Sequence, residues 1–123
     1  IVSTPQDLAL IDARKGLNMF RKVNVPLLGI IENMSHFLCT ECGARHEIFG
    51  NGGARAEAAK LGVPFLGEVP LEMAIRATSD EGTPIVASQP DSLHAAHYGA
   101  IADAVLQTLE QNAPKARPKI IIE

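Results

Sequence analysis

The runs "VPLLGIIE" (residues 25–32) and "VPFLGEVP" (residues 63–70) share one pattern: valine, proline, two large apolar residues, glycine, then a polar segment. A short, nearly continuous apolar run of this length behind a proline predicts a strand buried on both faces, not a half-buried alternating one. The likeness points to two equivalent units of an alternating fold rather than a true repeat.

Between the runs, "GGARAEAAKLG" (52–62) predicts a helix that Gly62 ends in a left-handed cap and Pro64 prevents from continuing. Before the first run, residues 1–3 read as the end of a strand. "TPQD" (4–7) then reads as a helix start, with Thr4 as N-cap, Pro5 at the first helical position and Asp7 three residues after the cap. This helix should run to about Lys22, with Ala9, Ala13, Leu17 and Phe20 on one face. Arg21 and Lys22 fall at its end, where the helix dipole favours cations. After the second run, "LEMAIRATSDEG" (71–82) predicts a short helix ending near Gly82. "PDSLHAAHYGAIADAVLQTLEQ" (90–111) predicts a final helix, opened by Pro90 and Asp91. Ile101, Val105 and Leu109 lie on one of its sides, next to Ala96, Ala100 and Ala104. Residues 113–123 read as a tail, in which "KIIIE" has strand character. The long segment 33–50 reads as a loop.

Strand and helix in alternation imply parallel strands joined by right-handed crossovers, an α/β fold. Ligands of such sheets bind beyond the carboxyl ends of the strands. Three segments should share that edge: "STPQ" (3–6), "ENMSHF" (32–37) and "EVPLE" (68–72).

The bulk numbers restrict function. The chain has 123 residues, enough for one domain or part of a larger one. Its formal net charge is -3, which argues against nucleic acid as partner, since phosphate contacts need a basic face. The one basic cluster, "KARPK" (115–119), reads as a solvated linker. No apolar stretch approaches the roughly 20 residues that span a bilayer, and no secretory signal is visible. The opening "IVSTPQ" resembles the middle of a strand and has no Met, which suggests a piece of a longer protein.

Both cysteines lie in "FLCTECGARH" (37–46). Two cysteines at this spacing do not make a secreted disulfide framework, so a reducing compartment is favoured. Cys39 and Cys42 are spaced to grip one metal or one cluster, and Gly43 directly behind them is typical of a metal knuckle. A redox dithiol would need the pair at the start of a helix, and here a glycine-rich loop intervenes. Inert thiols are the third possibility. Two thiolates are half a ligand set. His36 and His46 flank the pair too tightly for ordinary zinc-finger spacing. A two-fold dimer would instead present four thiolates, which suits zinc or a [4Fe–4S] cluster, and would leave both histidines as surface or supporting groups.

Asn33 stands where the first apolar run meets the ligand edge. Its amide offers a donor and an acceptor that suit an adenine edge; equally, it suits a turn that ends a strand. Pro70 and Leu71 could form an apolar wall of the same pocket. "FGNGGAR" (49–55) is glycine-rich but has no Gly-Lys-Ser/Thr ending and no strand leading into it, so it does not read as a phosphate loop. No Walker A motif, Ser–His–Asp set or metalloprotease signature occurs in the chain.

Taken in order, "STPQDLALIDARKGLNMF", "VPLLGIIENMSHFLCTECG", "IFGNGGARAEAAKLGVPFLGEVPLEMAIR" and "DEGTPIV" resemble the C-terminal half of Mrp/ApbC-type iron–sulfur cluster carriers, P-loop ATPases related to MinD. The resemblance covers roughly residues 1–109. It implies the C-terminal half of a doubly wound, mainly parallel P-loop NTPase sheet with flanking helices, over residues 1–112, with the cluster loop at 33–50. It implies that Cys39 and Cys42 bind a [4Fe–4S] cluster bridging a homodimer, delivered to apo iron–sulfur proteins. It implies that Asn33 contacts the adenine of ATP and that Pro70 and Leu71 close over the base. The family's phosphate loop, with its magnesium site, precedes residue 1, so this stretch should not hydrolyse ATP by itself. The implied compartment is the bacterial cytoplasm or the mitochondrial matrix, with no membrane and no nucleic acid as partner. The family usually carries proline after the first cysteine; Thr40 stands here, which loosens the turn. The rival readings are a zinc-stabilised interaction module and a MinD-like partitioning ATPase without a cluster. The second wants a basic amphipathic helix that the alanine-rich final helix does not offer.

Overall fold

A computed structural model of the chain describes residues 1–112. The expected tail at 113–123, with its "KIIIE" segment, lies outside the described residues. Five strands and five helices follow one another: β1 (Val2–Ser3), α1 (Asp7–Lys22), β2 (Ile30–Asn33), β3 (Phe37–Leu38), β4 (Arg45–His46), α2 (Gly53–Leu61), β5 (Phe65–Val69), α3 (Met73–Asp80), α4 (Ile85–Ser88) and α5 (Leu93–Gln111). Strands β1, β2 and β5 form a parallel sheet in the order β1-β2-β5. Their carboxyl ends therefore share one edge, and the three expected loops leave from it.

The first apolar run is a strand only in its second half. Ile31 pairs with Val2 and Ile30 with Phe65. Upstream of Ile30 the ladder fades to one bond, from the Ile1 amino group to Gly29 O at 2.9 Å, and Pro26 has no N–H to give another. Val25 is accordingly exposed. The strand is also not apolar on both faces. Glu32 is buried on the same side as Ile30, with 1 % of its surface exposed. Its Oε2 accepts the Ala54 N–H at 2.8 Å, so a carboxylate satisfies an orphan donor in the first turn of α2.

Helix starts also differ from the reading. Helix α1 begins at Asp7 behind Gln6, with no side-chain cap, and Thr4 hydroxyl donates instead to Gln6 Oε1 at 3.2 Å. Pro5 is buried ahead of the helix, not inside it. Helix α5 is capped by Ser92, whose Oγ accepts the Ala95 N–H at 3.1 Å. Its buried positions are Ala95, Ile101 and Thr108, while Leu109 is 47 % exposed. The exit of α2 is as expected: Gly62 takes φ 64°.

Leu10, Leu17, Ile30, Ala54 and Ala58 form the core where α1 and α2 meet the sheet. Ile1, Leu27, Leu61, Val63 and Phe65 pack around them. Helix α5 packs along β5. Gly67 sets this approach. It sits at φ 146°, and a Cβ there would lie 2.6 Å from Ile101 Cγ1. The small size and conformational freedom of glycine are both used here. No helix among the described residues is long and apolar enough to cross a membrane.

Gly67→Ala is expected to overpack the β5–α5 contact and destabilise the folded protein by about 1–3 kcal/mol, measured by denaturant unfolding of the full-length protein. In an Ile101→Ala background, which lacks the clashing Cγ1, the same Gly67→Ala change should cost less.

Candidate functional site

Asn33, Pro70 and Leu71, far apart in sequence, line one cavity of about 280 Å³ beyond the carboxyl ends of β2 and β5. Met34, Glu72, Ile75, Arg76, Ser79 and Tyr98 complete its walls. Asn33 Oδ1 accepts the N–H of Met34 at 2.9 Å, and Met34 takes a left-handed φ of 56°. Asn33 therefore makes the strand-ending turn, and its side chain also borders the cavity. The acceptor half of the amide holds the turn, and Nδ2 stays available as a donor.

The cysteine segment is more ordered than a loop. Phe37↔His46 and Leu38↔Arg45 pair antiparallel, so β3 and β4 form a short hairpin with the cysteines at its tip. Cys39 N–H donates to Ala44 O at 2.9 Å and Gly43 N–H to Cys39 O at 2.8 Å. Gly43, at φ 72°, makes the return. The backbone amides of Cys42 and Glu41, and then the Cys42 thiol, hydrogen-bond the Cys39 sulfur and hold its pKa below the ordinary thiol value. Both cysteines are free, Cys39 half-buried and Cys42 exposed. Amide donors turned toward one thiol, with a second thiol open to solvent beside it, are the arrangement a metal knuckle would need.

The histidines do not complete it. Among the described residues, no three His, Cys, Asp or Glu side chains come together to hold a metal ion. His46 is exposed and its ring lies 6.4 Å from that of Phe37 across the hairpin. Of the two places expected for His36, surface or supporting, the surface is excluded; it is 6 % exposed. Its Nδ1 lies 2.9 Å from Ser35 Oγ. The same hydroxyl also lies within reach of Val69 O, at 3.2 Å, and the tautomer of the ring sets which of Ser35 and His36 donates between them. Burial holds the His36 pKa below the usual histidine value. Arg45 and His97 push the same way, against Glu68 and Glu72.

Residues 35–36 also tie the hairpin to the cavity. Ser35 N–H donates to Val69 O at 3.0 Å and Leu71 N–H to His36 O at 2.7 Å. A second cavity, about 280 Å³ and largely apolar, opens beside the hairpin. Phe37, Ile48 and Met73 line it, together with Leu71, Glu72 and Arg76, which also wall the first cavity. The segment 71–76 is therefore a partition between the Asn33 cavity and the base of the cysteine hairpin.

Sequence reasoning did not single out Glu32, Ser35 or Tyr98. Glu32 had a visible signal, a charge at the end of an apolar strand. The other two are marked only by three-dimensional neighbours. The Gly52–Gly53 turn carries no phosphate-loop geometry either, since Glu32 already supplies the anion at the start of α2.

Comparison with known proteins agrees with this layout. Residues 1–106 match the family model described as ParA, NUBPL iron-transfer P-loop NTPase. The iron-sulfur cluster transfer protein NUBPL of Dictyostelium discoideum is 50% identical over 127 residues, covering 99% of this chain and 39% of that protein. The iron-sulfur protein required for NADH dehydrogenase, mitochondrial, of Arabidopsis thaliana is 52% identical over 90% of this chain and 36% of its own length. The iron-sulfur cluster carrier protein of Escherichia coli K12 is 50% identical over 89% and 30%. The chain thus spans under two fifths of the length of these relatives. Among solved structures, an Archaeoglobus fulgidus nucleotide-binding protein in complex with ADP aligns with a TM-score of 0.57 and 37% identity, over 67% of this chain and 35% of its own. The cell division ATPase MinD of Pyrococcus furiosus aligns with a TM-score of 0.67 at 22% identity, over 86% and 41%, and shows the shared fold. With a parallel sheet that fits the fold and a family model matched over residues 1–106, the chain belongs to the ParA family described as NUBPL iron-transfer P-loop NTPase.

Proposed function

We propose that this chain is the cluster-bearing part of an ATP-binding carrier that holds a [4Fe–4S] cluster between two copies and passes it to apoproteins. One observation carries the reading. Cys39 and Cys42 stand free at the tip of one hairpin, with amide donors at Cys39 and no third ligand beside them among the described residues. Two such tips across a two-fold axis supply four thiolates. Exposed attachment by two ligands per copy suits a cargo that must leave. Four thiolates also suit zinc; the iron–sulfur names of the relatives favour the cluster.

The nucleotide part of the proposal rests on the shared cavity. Asn33 Nδ2 would donate to a ring nitrogen of adenine, while Pro70 and Leu71 close over the base. The ADP complex of the archaeal relative supports this. ATP phosphates and magnesium would be held by the phosphate loop that the family carries ahead of this segment. Free thiols favour a reducing compartment, the bacterial cytoplasm or the mitochondrial matrix; the bacterial and mitochondrial relatives point the same way.

Anaerobic reconstitution of the full-length protein should give about four irons and four sulfides per dimer, and Cys39→Ser or Cys42→Ser should abolish uptake. Stoichiometric zinc without sulfide, or a cluster retained in either variant, would overturn the reading.

The lowered pKa of Cys39 makes a separate prediction. The thiolate, and not the thiol, is alkylated. Iodoacetamide labelling of Cys39 in the Cys42→Ser variant keeps the amide donors of the turn but not the Cys42 thiol. Its rate should reach half-maximum below the roughly pH 8.5 of a free thiol.

Because segment 71–76 partitions base cavity from hairpin, nucleotide binding should alter the lifetime of the cluster. Transfer of iron to an apo-ferredoxin, followed by circular dichroism, should differ in rate with and without ATP. Identical rates would remove the coupling from the proposal.

A further inference from the structure

The cavity around Asn33 has one wall that no sequence motif marks. It comes from α3 and α5, through Ile75, Ser79 and Tyr98. Tyr98 is the one tyrosine of the chain, and long-range packing brings it there. Ile101 is seated against Gly67 in the middle of β5, closer than any side chain at that position would permit. Tyr98 precedes Ile101 by three residues, so it lies on the same side of α5, about 4.5 Å further along the helix axis. Val69 and Pro70 lie just beyond Gly67 on the strand. Seating Ile101 on Gly67 thus carries Tyr98 to the carboxyl end of β5, where the cavity opens.

Most polar side chains of this cavity are already engaged. Asn33 Oδ1 holds the Met34 N–H. The Ser79 hydroxyl donates to Ile75 O at 2.7 Å. Arg76 Nη1 pairs with Asp80 Oδ2 at 2.9 Å. Asn33 Nδ2 and Tyr98 remain, with the Glu72 carboxylate and the other N–H groups of Arg76 shared with the neighbouring cavity. One amide donor together with one aromatic face is a recognition set for a flat heteroaromatic ring. The donor meets a ring nitrogen at the edge and the aromatic takes the face.

We propose that Tyr98 is a base-binding residue, its ring forming the aromatic wall against which the nucleobase lies while Asn33 Nδ2 meets the base edge. The proposal deepens the nucleotide reading above and rests on it. Aromatic stacking serves any base, so Tyr98 contributes affinity rather than discrimination among bases.

The test uses the full-length protein and two probes, ATP and inorganic tripolyphosphate, which has no base. Tyr98→Leu keeps apolar bulk and removes the aromatic face; Tyr98→Phe restores the face without the hydroxyl. Tyr98→Leu should weaken ATP binding about tenfold or more and leave tripolyphosphate binding as in the wild type, and Tyr98→Phe should rescue ATP binding. Equal ATP affinity in wild type and Tyr98→Leu overturns the proposal. So does a loss shared equally by ATP and tripolyphosphate, which marks a structural role. If the wild type itself binds ATP no better than tripolyphosphate, the base cavity of the preceding reading fails, and the Tyr98 assignment falls with it.

Discussion

Strand β2 is hydrogen-bonded on both sides, to β1 and to β5, and both pairings are parallel. The rest of the structure depends on this constraint. A parallel neighbour can be reached only by a crossover, so each strand must hand its chain to a helix and begin again at the same end. All three strands therefore finish on one edge. Asn33 is the last residue of β2 and pairs with Val69, the last of β5. The polar turn after β2 and the Pro70–Leu71 turn after β5 consequently face each other without any further instruction.

The same strand anchors what lies around it. Its Ile30 joins the core under α1 and α2, and two residues on, Glu32 reaches the first turn of α2. A carboxylate in the core is costly unless its charge is met. Here the backbone N–H of Ala54 and the positive end of the helix meet it. The segment between Glu32 and Ala54 contains the whole cysteine hairpin. Its two ends are thus pinned to one side chain contact, while its tip stays open. Pinned ends with an exposed tip suit a loop that must present thiolates to something outside its own chain.

Much of this was legible in the chain itself. Apolar runs behind Pro26 and Pro64, the cap at Gly62 and the alternation of elements led to the parallel α/β layout, and Gly43 behind Cys39 and Cys42 pointed to the turn that gathers the two thiols. Errors fell where local patterns compete. Thr4, Gln6 and Pro5 all carry helix-start character, and so do Pro90, Asp91 and Ser92; which one caps depends on fractions of a turn that propensity does not resolve. The β3–β4 hairpin was missed because two-residue strands show no periodicity. The sequence leaves His36 open between surface and supporting places, because a histidine beside a loop has no local signal of burial; its place is decided by Ser35, Val69 and Glu68, the last two from a distant strand.

What the sequence by itself determined is the order of elements, the edge on which polar loops gather and the close pairing of the two thiols. These follow from backbone propensity, hydrophobic period and ligand chemistry, all of which act between near neighbours. What only the tertiary structure decided is which distant groups share a cavity. Tyr98 meets Asn33 because Gly67 lets Ile101 approach β5, and segment 71–76 separates two cavities because Leu71 is bonded to His36. Such contacts are set by the packing of whole elements against one another, a long-range sum that no short window of residues contains.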